Sequence, residues 1–118
     1  IAPVGYMEQL NQTILTFEAF AKGADDAVVP FSLRISQPGY EESHGYYCIV
    51  ECPFIREKHF KIFGAHEEQA CELSVTFIRQ LVVDQKAFLV DAQGHEISIP
   101  AIRPETIIPV GSVETDNP

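Results

Sequence analysis

The sequence predicts an α+β domain: an antiparallel sheet of about five to six strands with one long helix packed on one face, in the order β-β-β-β-α-β-β. Three observations carry that expectation. Two consecutive segments near the start alternate apolar and polar residues with period two. One later segment repeats its apolar residues at three- and four-residue steps, and that helical pattern occurs once. Short apolar stretches bounded by turn residues flank it on both sides. At 118 residues the chain fits a single domain, 1–118, with residues 1–12 and 112–118 expected to be extended or frayed.

The first strand covers residues 13–22, with Leu15, Phe17, Ala19 and Ala21 on one face and Thr16, Glu18 and Lys22 on the other. Lys22-Gly23-Ala24-Asp25-Asp26 is a turn by composition. A second strand follows, with Val29, Phe31, Leu33 and Ile35 inward and Ser32, Arg34 and Ser36 outward; the two make a hairpin. Pro30 has no N–H to give a sheet, which places that strand at an edge or its start near Pro30. Residues 37–45 form the longest polar stretch of the body and read as an exposed loop. A third strand, rich in aromatic and β-branched residues, spans Tyr46 to Phe54. Arg56-Glu57-Lys58 turns it into a fourth, His59 to Phe63, ended by Gly64.

The helix spans His66 to Gln85. Ala70, Leu73, Phe77, Ile78, Leu81 and Val82 form its apolar stripe. Glu67, Glu68 and Glu72 crowd its first turns, where the helix dipole favours negative charge. Phe88–Asp91 and His95–Ile99 read as a second hairpin around Ala92-Gln93-Gly94, and Pro100, Pro104 and Pro109 break the tail into short extended pieces. The stretch from Tyr46-Tyr47-Cys48 through Phe63-Gly64, with Gln69-Ala70 opening a helix that runs to Phe77-Ile78, resembles a group of small uncharacterised bacterial α+β domains. The resemblance covers residues 31–99, with His66 standing where the pattern places a capping Asp. It implies a fold and no activity.

Seventeen Asp and Glu stand against eight Lys and Arg, a net charge of −9. A field of that sign repels phosphate backbones and attracts basic surfaces. The one basic concentration, Arg56, Lys58 and Lys61, is interrupted by Glu57, so nucleic acid is not the expected partner. No apolar run approaches the roughly 20 residues of a membrane span, and the opening residues lack the basic and apolar regions of a signal peptide. The three cysteines, Cys48, Cys52 and Cys71, are an odd set that fits free thiols in a reducing cytoplasm.

Catalytic and metal signatures are weak. Cys48 and Cys52 share a strand face but stand about 13 Å apart at roughly 3.3 Å per residue, too far for one zinc with Zn–S bonds of about 2.3 Å. Neither a metal nor a cofactor is expected. Cys71 lies in the early turns of the helix, which favours a thiolate, but Glu67, Glu68 and Glu72 repel one. A thiol enzyme using Cys71 or Cys48 with His59 or His66 is the lesser alternative. The carboxylate pairs Asp25-Asp26, Glu41-Glu42 and Glu67-Glu68 fall in a turn, a loop and a helix start, without the apolar surroundings that raise a pKa. Ser43 beside His44 lacks the Gly-x-Ser-x-Gly setting of a nucleophile.

What remains is the surface. Acids concentrate in the Asp25-Asp26 turn, around Tyr40-Glu41-Glu42 and at the helix start, with Tyr46 and Tyr47 close by. Tyrosine supplies rigid contact area, and carboxylates complement Lys and Arg. The expectation is a non-catalytic acidic binding protein, most concretely a bacterial immunity protein that neutralises a basic toxin such as a secreted nuclease domain. Its contacts would be Asp25, Asp26, Tyr40, Glu41, Glu42, Glu67, Glu68 and Glu72. The alternative is a small accessory or structural subunit, one form of which is a homodimer joined through edge strand 28–36.

Overall fold

The computed structural model describes residues 12–110. The stretches expected to fray, Gln12 apart, lie outside the described residues. The fold is α+β: a six-stranded antiparallel sheet with a single helix packed against it among the described residues.

Period-two alternation builds β1 (Thr13–Lys22) and β2 (Val28–Ser36), paired antiparallel along their length. Ala19, Ala21, Phe31, Leu33 and Ile35 are buried on the core face, and Thr16, Glu18, Ser32 and Arg34 are exposed on the other. Val29, expected inward, is exposed; it sits near the hairpin tip, where the helix, seated on other strands, does not reach. The turn has its own chemistry. The Asp25 carboxylate accepts the Ala27 N–H at 3.1 Å, and Asp26 takes the left-handed conformation (φ 67°) that Asp tolerates better than most residues.

Residues 37–45 are not an open loop. Ser36, Gln37 and Pro38 are buried, and Gly39–Glu41 forms a short strand, β3, hairpinned to β4 (Gly45–Cys52). The polar composition conceals a hairpin that needs its glycines: a Cβ on Gly39 would stand 2.7 Å from the Tyr47 ring, and Gly45 has φ 104°. β2 meets β4 at Arg34–Glu51 and Ile35–Val50, and β3 meets it at Gly39–Tyr47. β5 (Arg56–Gly64) runs along β4 from Cys52 to Tyr46, so β2 and β3 share the opposite edge of β4. At the break between them the Ser36 hydroxyl accepts the Ile49 N–H at 2.8 Å and donates to the Gln37 carbonyl, which explains why Ser36 is buried rather than outward. The expected edge strand 28–36 is therefore interior at Arg34 and Ile35; only its N-terminal part, with Pro30, projects past the end of β4.

The turn into β5 is Pro53-Phe54-Ile55, closed by Ile55 N–H to Cys52 C=O at 2.9 Å, and not Arg56-Glu57-Lys58. Pro53 cannot extend the ladder, so the strand ends one residue before it.

Helix α1 (Glu67–Asp84) packs on β4 and β5. His66 caps it: its Nδ1 accepts the Gln69 N–H at 3.2 Å, while Gln69 Oε1 accepts the Ala65 N–H at 2.6 Å, a reciprocal arrangement like a capping box. The far end closes with Lys86 at φ 57°, its N–H bonded to the Val83 carbonyl and the Ala87 N–H to the Val82 carbonyl, the Schellman pattern with lysine in place of glycine. The buried face is Ala70, Cys71, Ser74, Val75, Ile78 and Val82. Leu73 and Phe77, expected in the stripe, lie on its exposed flank, with Phe77 edge-on to Phe60 of β5. The stripe is rotated because the small side chains of Cys71 and Ser74 let the helix approach closely.

β6 (Phe88–Val90) pairs with β1 beside the first turn, giving the order β6-β1-β2-β4-β5 with β3 extending the line of β2. Its expected hairpin partner, 95–99, pairs with it only over His95–Ile97: Glu96 bridges Val90, the Asp91 N–H donates to the His95 carbonyl at 2.8 Å and the Ile97 N–H to the Leu89 carbonyl at 2.9 Å. Instead the chain leaves the sheet as a strap. Arg79 of α1 donates to the Ile99 carbonyl, and further along the strap the Val110 N–H donates to Glu67 at 3.0 Å, so it runs antiparallel to the helix. Ile97, Ile99, Ile102 and Ile107 complete the core. Buried Gln37 holds the strap by both ends of its amide, donating to the Thr106 carbonyl at 2.9 Å and accepting the Ile108 N–H at 2.8 Å. No helix among the described residues is long and apolar enough to cross a membrane.

Candidate functional site

Strand direction decides which expected contacts can act together. The β3–β4 hairpin and the start of α1 lie at one end of the sheet, since Tyr46 pairs with both Tyr40 and Gly64. The Asp25-Asp26 turn lies at the other end. The run from Val28 to Tyr40 covers roughly 40 Å at about 3.3 Å per residue. Tyr40, Glu41, Glu42, Glu67, Glu68 and Glu72 are thus brought to one end, and Asp25 and Asp26 are not among them. The latter two are occupied by their turn and by a 3.9 Å approach to Lys22.

At the hairpin end, Tyr40 is 51% exposed and its ring meets that of Tyr46 at 4.9 Å. Direct pairing on β3 and β4 puts both rings on the helix side of the sheet. Tyr46 stands beside Gly64, where a Cβ would fall 2.6 Å from the Ala70 backbone nitrogen, so the first turns of α1 descend onto the sheet next to the tyrosines. Glu42, Glu68 and Glu72 are exposed there. Glu67 is half-buried and holds Val110, and Glu41 is engaged on the other face.

That other face carries a separate cluster. Lys61 bonds Glu41 at 3.2 Å and lies 4.5 Å over the Tyr47 ring, and Tyr47 and His44 both pack against Phe63. Ser43 Oγ lies 2.8 Å from His44 Nδ1 and Glu41 Oε2 lies 3.4 Å from the same atom. A nucleophile–base–carboxylate relay needs the two different ring nitrogens. Both contacts fall on one nitrogen, so these three residues do not form that relay.

The cysteines are placed where spacing alone could not put them. Cys48 and Cys52 point into the core from β4, and Cys71 meets Cys48 from α1, Sγ to Sγ 3.7 Å, with exposures of 0% and 1% for the pair. The bond to Cys71, then burial, pushes the Cys48 thiol above the ordinary thiol range. The same bond holds the Cys71 thiol below the ordinary thiol range, against the smaller opposing effects of burial and the charges of Glu67, Glu68 and Glu72. Burial raises Cys52. His66, one expected partner of Cys71, is committed to capping the helix, and His59 is exposed on β5.

Among the described residues no three His, Cys, Asp or Glu side chains converge as a metal-binding group. A groove of about 590 Å³ on the solvated face has Glu18 and Asp91 on its wall. The His95 and Gln93 N–H groups hold the Asp91 carboxyl below its usual range. Arg56, Lys58 and Lys61 spread along edge strand β5, Arg56 lying 5.4 Å over the Phe60 ring.

No family model matches this chain, and neither does any curated protein or solved structure. Function therefore has to be argued from the site itself. Two features of the site escaped sequence reasoning: the Tyr40–Tyr46 ring contact, legible only once β3 is recognised as a strand, and the Cys48–Cys71 contact, which joins residues 23 positions apart.

Proposed function

We propose that this chain is a non-catalytic acidic protein-binding domain that recognises a basic protein through the end formed by Tyr40, Tyr46, Glu42, Glu68 and Glu72. In its most concrete form it is a bacterial immunity protein acting in the cytoplasm, neutralising a cognate basic toxin such as a nuclease domain. The observation that carries the reading is the convergence of a tyrosine pair, Tyr40 exposed and Tyr46 half-buried, with exposed carboxylates at one end of a chain of net charge −9. Tyrosines give area at small entropic cost, and the acids around them complement Lys and Arg and steer the encounter. Such an inhibitor needs no reactive group: covering a cationic substrate site suffices. Asp25 and Asp26 drop out of the contact set, being remote and used by their turn.

The test is affinity capture from the source organism with three baits: the natural chain, a variant carrying Tyr40→Ala, Glu42→Gln, Glu68→Gln and Glu72→Gln, and a control carrying Asp25→Asn and Asp26→Asn. A basic protein, encoded beside this gene, retained by the first and third baits and lost from the second supports the proposal. Equal retention by all three removes it.

A further inference from the structure

We propose that Cys48 and Cys71 form a reversible disulfide that staples the start of α1 to β4. The sulfurs lie 3.7 Å apart and need to close to about 2.05 Å. One sits on a central strand and the other on the helix that covers it, so the approach requires side-chain rotation and a small settling of α1, not a rearrangement of the fold. The helix is already drawn tight there: one residue before Cys71, the Ala70 backbone lies so close to Gly64 that no Cβ fits between them. Cys48 has no competing partner on its own strand, because Cys52 stands about 13 Å along it. Cys71 is thus its partner.

The oxidation balances with a peroxide. The Cys71 thiolate attacks one oxygen of hydrogen peroxide, the O–O bond breaks, and hydroxide leaves to take a proton from solvent. The resulting sulfenic acid is attacked by the Cys48 sulfur; the S–S bond forms, the S–O bond breaks, and the oxygen departs as a second water with the proton of Cys48. Two thiols are oxidised and one peroxide is reduced to two waters. The bond to Cys48 lowers the Cys71 thiol pKa, but both sulfurs are buried, out of reach of peroxide in the closed fold. Oxidation is therefore paced by opening of the first turns of α1, and the product is shielded from reductant in the same way.

The experiment treats the full chain with hydrogen peroxide, blocks remaining thiols with iodoacetamide in denaturant and maps the peptides by mass, beside Cys48→Ser, Cys71→Ser and Cys52→Ser variants. In the natural chain and in Cys52→Ser, one peptide pair joins residues 48 and 71 within a monomer. The melting temperature rises by roughly 10 °C, as expected for closing a loop of this length, and dithiothreitol reverses both changes. Cys48→Ser and Cys71→Ser give no internal link. A link through Cys52, a link between chains, or three alkylated thiols in the treated natural chain overturns the proposal. The natural-chain map decides the matter even if a serine variant fails to fold.

Discussion

At the scale of single residues, three positions hold the architecture in place. Gly64 lets the helix touch the sheet, since any Cβ meets backbone atoms at 2.6 and 2.9 Å that cannot swing aside. Gly64→Ala is expected to cost about 1–3 kcal/mol, the usual range for overpacking, measured as a lower denaturation midpoint with an unchanged slope. Gln37 holds the strap by both ends of its amide. Gln37→Leu strands the Ile108 N–H and the Thr106 carbonyl and should cost about 1–3 kcal/mol; amide exchange should accelerate first over residues 102–110. Lys86 occupies the left-handed position at the end of α1, so Lys86→Gly relieves strain and should stabilise the chain by up to about 1 kcal/mol. Asp91 carries a pH signature. Its folded pKa is depressed by the His95 and Gln93 N–H groups, so its contribution is present above the unfolded Asp value, about 3.9, and fades as pH falls through the lower folded value. Asp91→Asn should flatten that acid limb of a stability–pH curve and leave the curve near neutrality almost unchanged in shape.

At the scale of elements, the rotated helix face makes a prediction that separates the observed packing from the simple apolar stripe. Ile78 is fully buried while Phe77, its larger neighbour, is 41% exposed. Ile78→Ala should cost about 2–5 kcal/mol, and Phe77→Ala clearly less, although Phe77 is the bulkier side chain. Hairpin β1–β2 is legible in the sequence because its alternation marks one core face from Ala19 and Ala21 to Phe31, Leu33 and Ile35; it misleads only at Val29 near the tip and at Ser36 beside β4. The helix was legible in extent but not in rotation, because Cys71 and Ser74 read as interruptions of a stripe when they are in fact its centre. β3 was hidden by polar composition: what makes Gly39–Glu41 a strand is pairing with β4 and room for the Tyr47 ring, both tertiary facts. The prolines of the strap imply short extended pieces, but Pro104–Thr106 is a single 3-10 turn, and nothing in the prolines reveals that Gln37 and Glu67 hold the strap. The candidate site was half legible for the same reason. Acid and tyrosine positions are visible in the chain, but which of them share an end depends on strand direction and on β3.

At the scale of the whole molecule, charge and topology together give the chain two unlike ends. One is the β1–β2 turn, with Asp25 and Asp26 bound into its geometry and Val28, Val29 and Phe88 exposed nearby. The other is the tyrosine and carboxylate end proposed to bind a basic protein. Between them the edge strand β5 is guarded against pairing by Arg56, Lys58 and Lys61 and by a bulge opposite Glu51, where its register with β4 shifts. Charge-steered association predicts that the on-rate for the captured partner falls at least tenfold between about 50 and 300 mM salt, with a smaller change in off-rate. The most direct test of the account is a hydrogen-exchange footprint of this chain with that partner. Protection confined to residues 39–47 and 64–73, with none over 23–29, is the predicted result; protection centred on the Asp25-Asp26 turn, with the hairpin end unchanged, would contradict it.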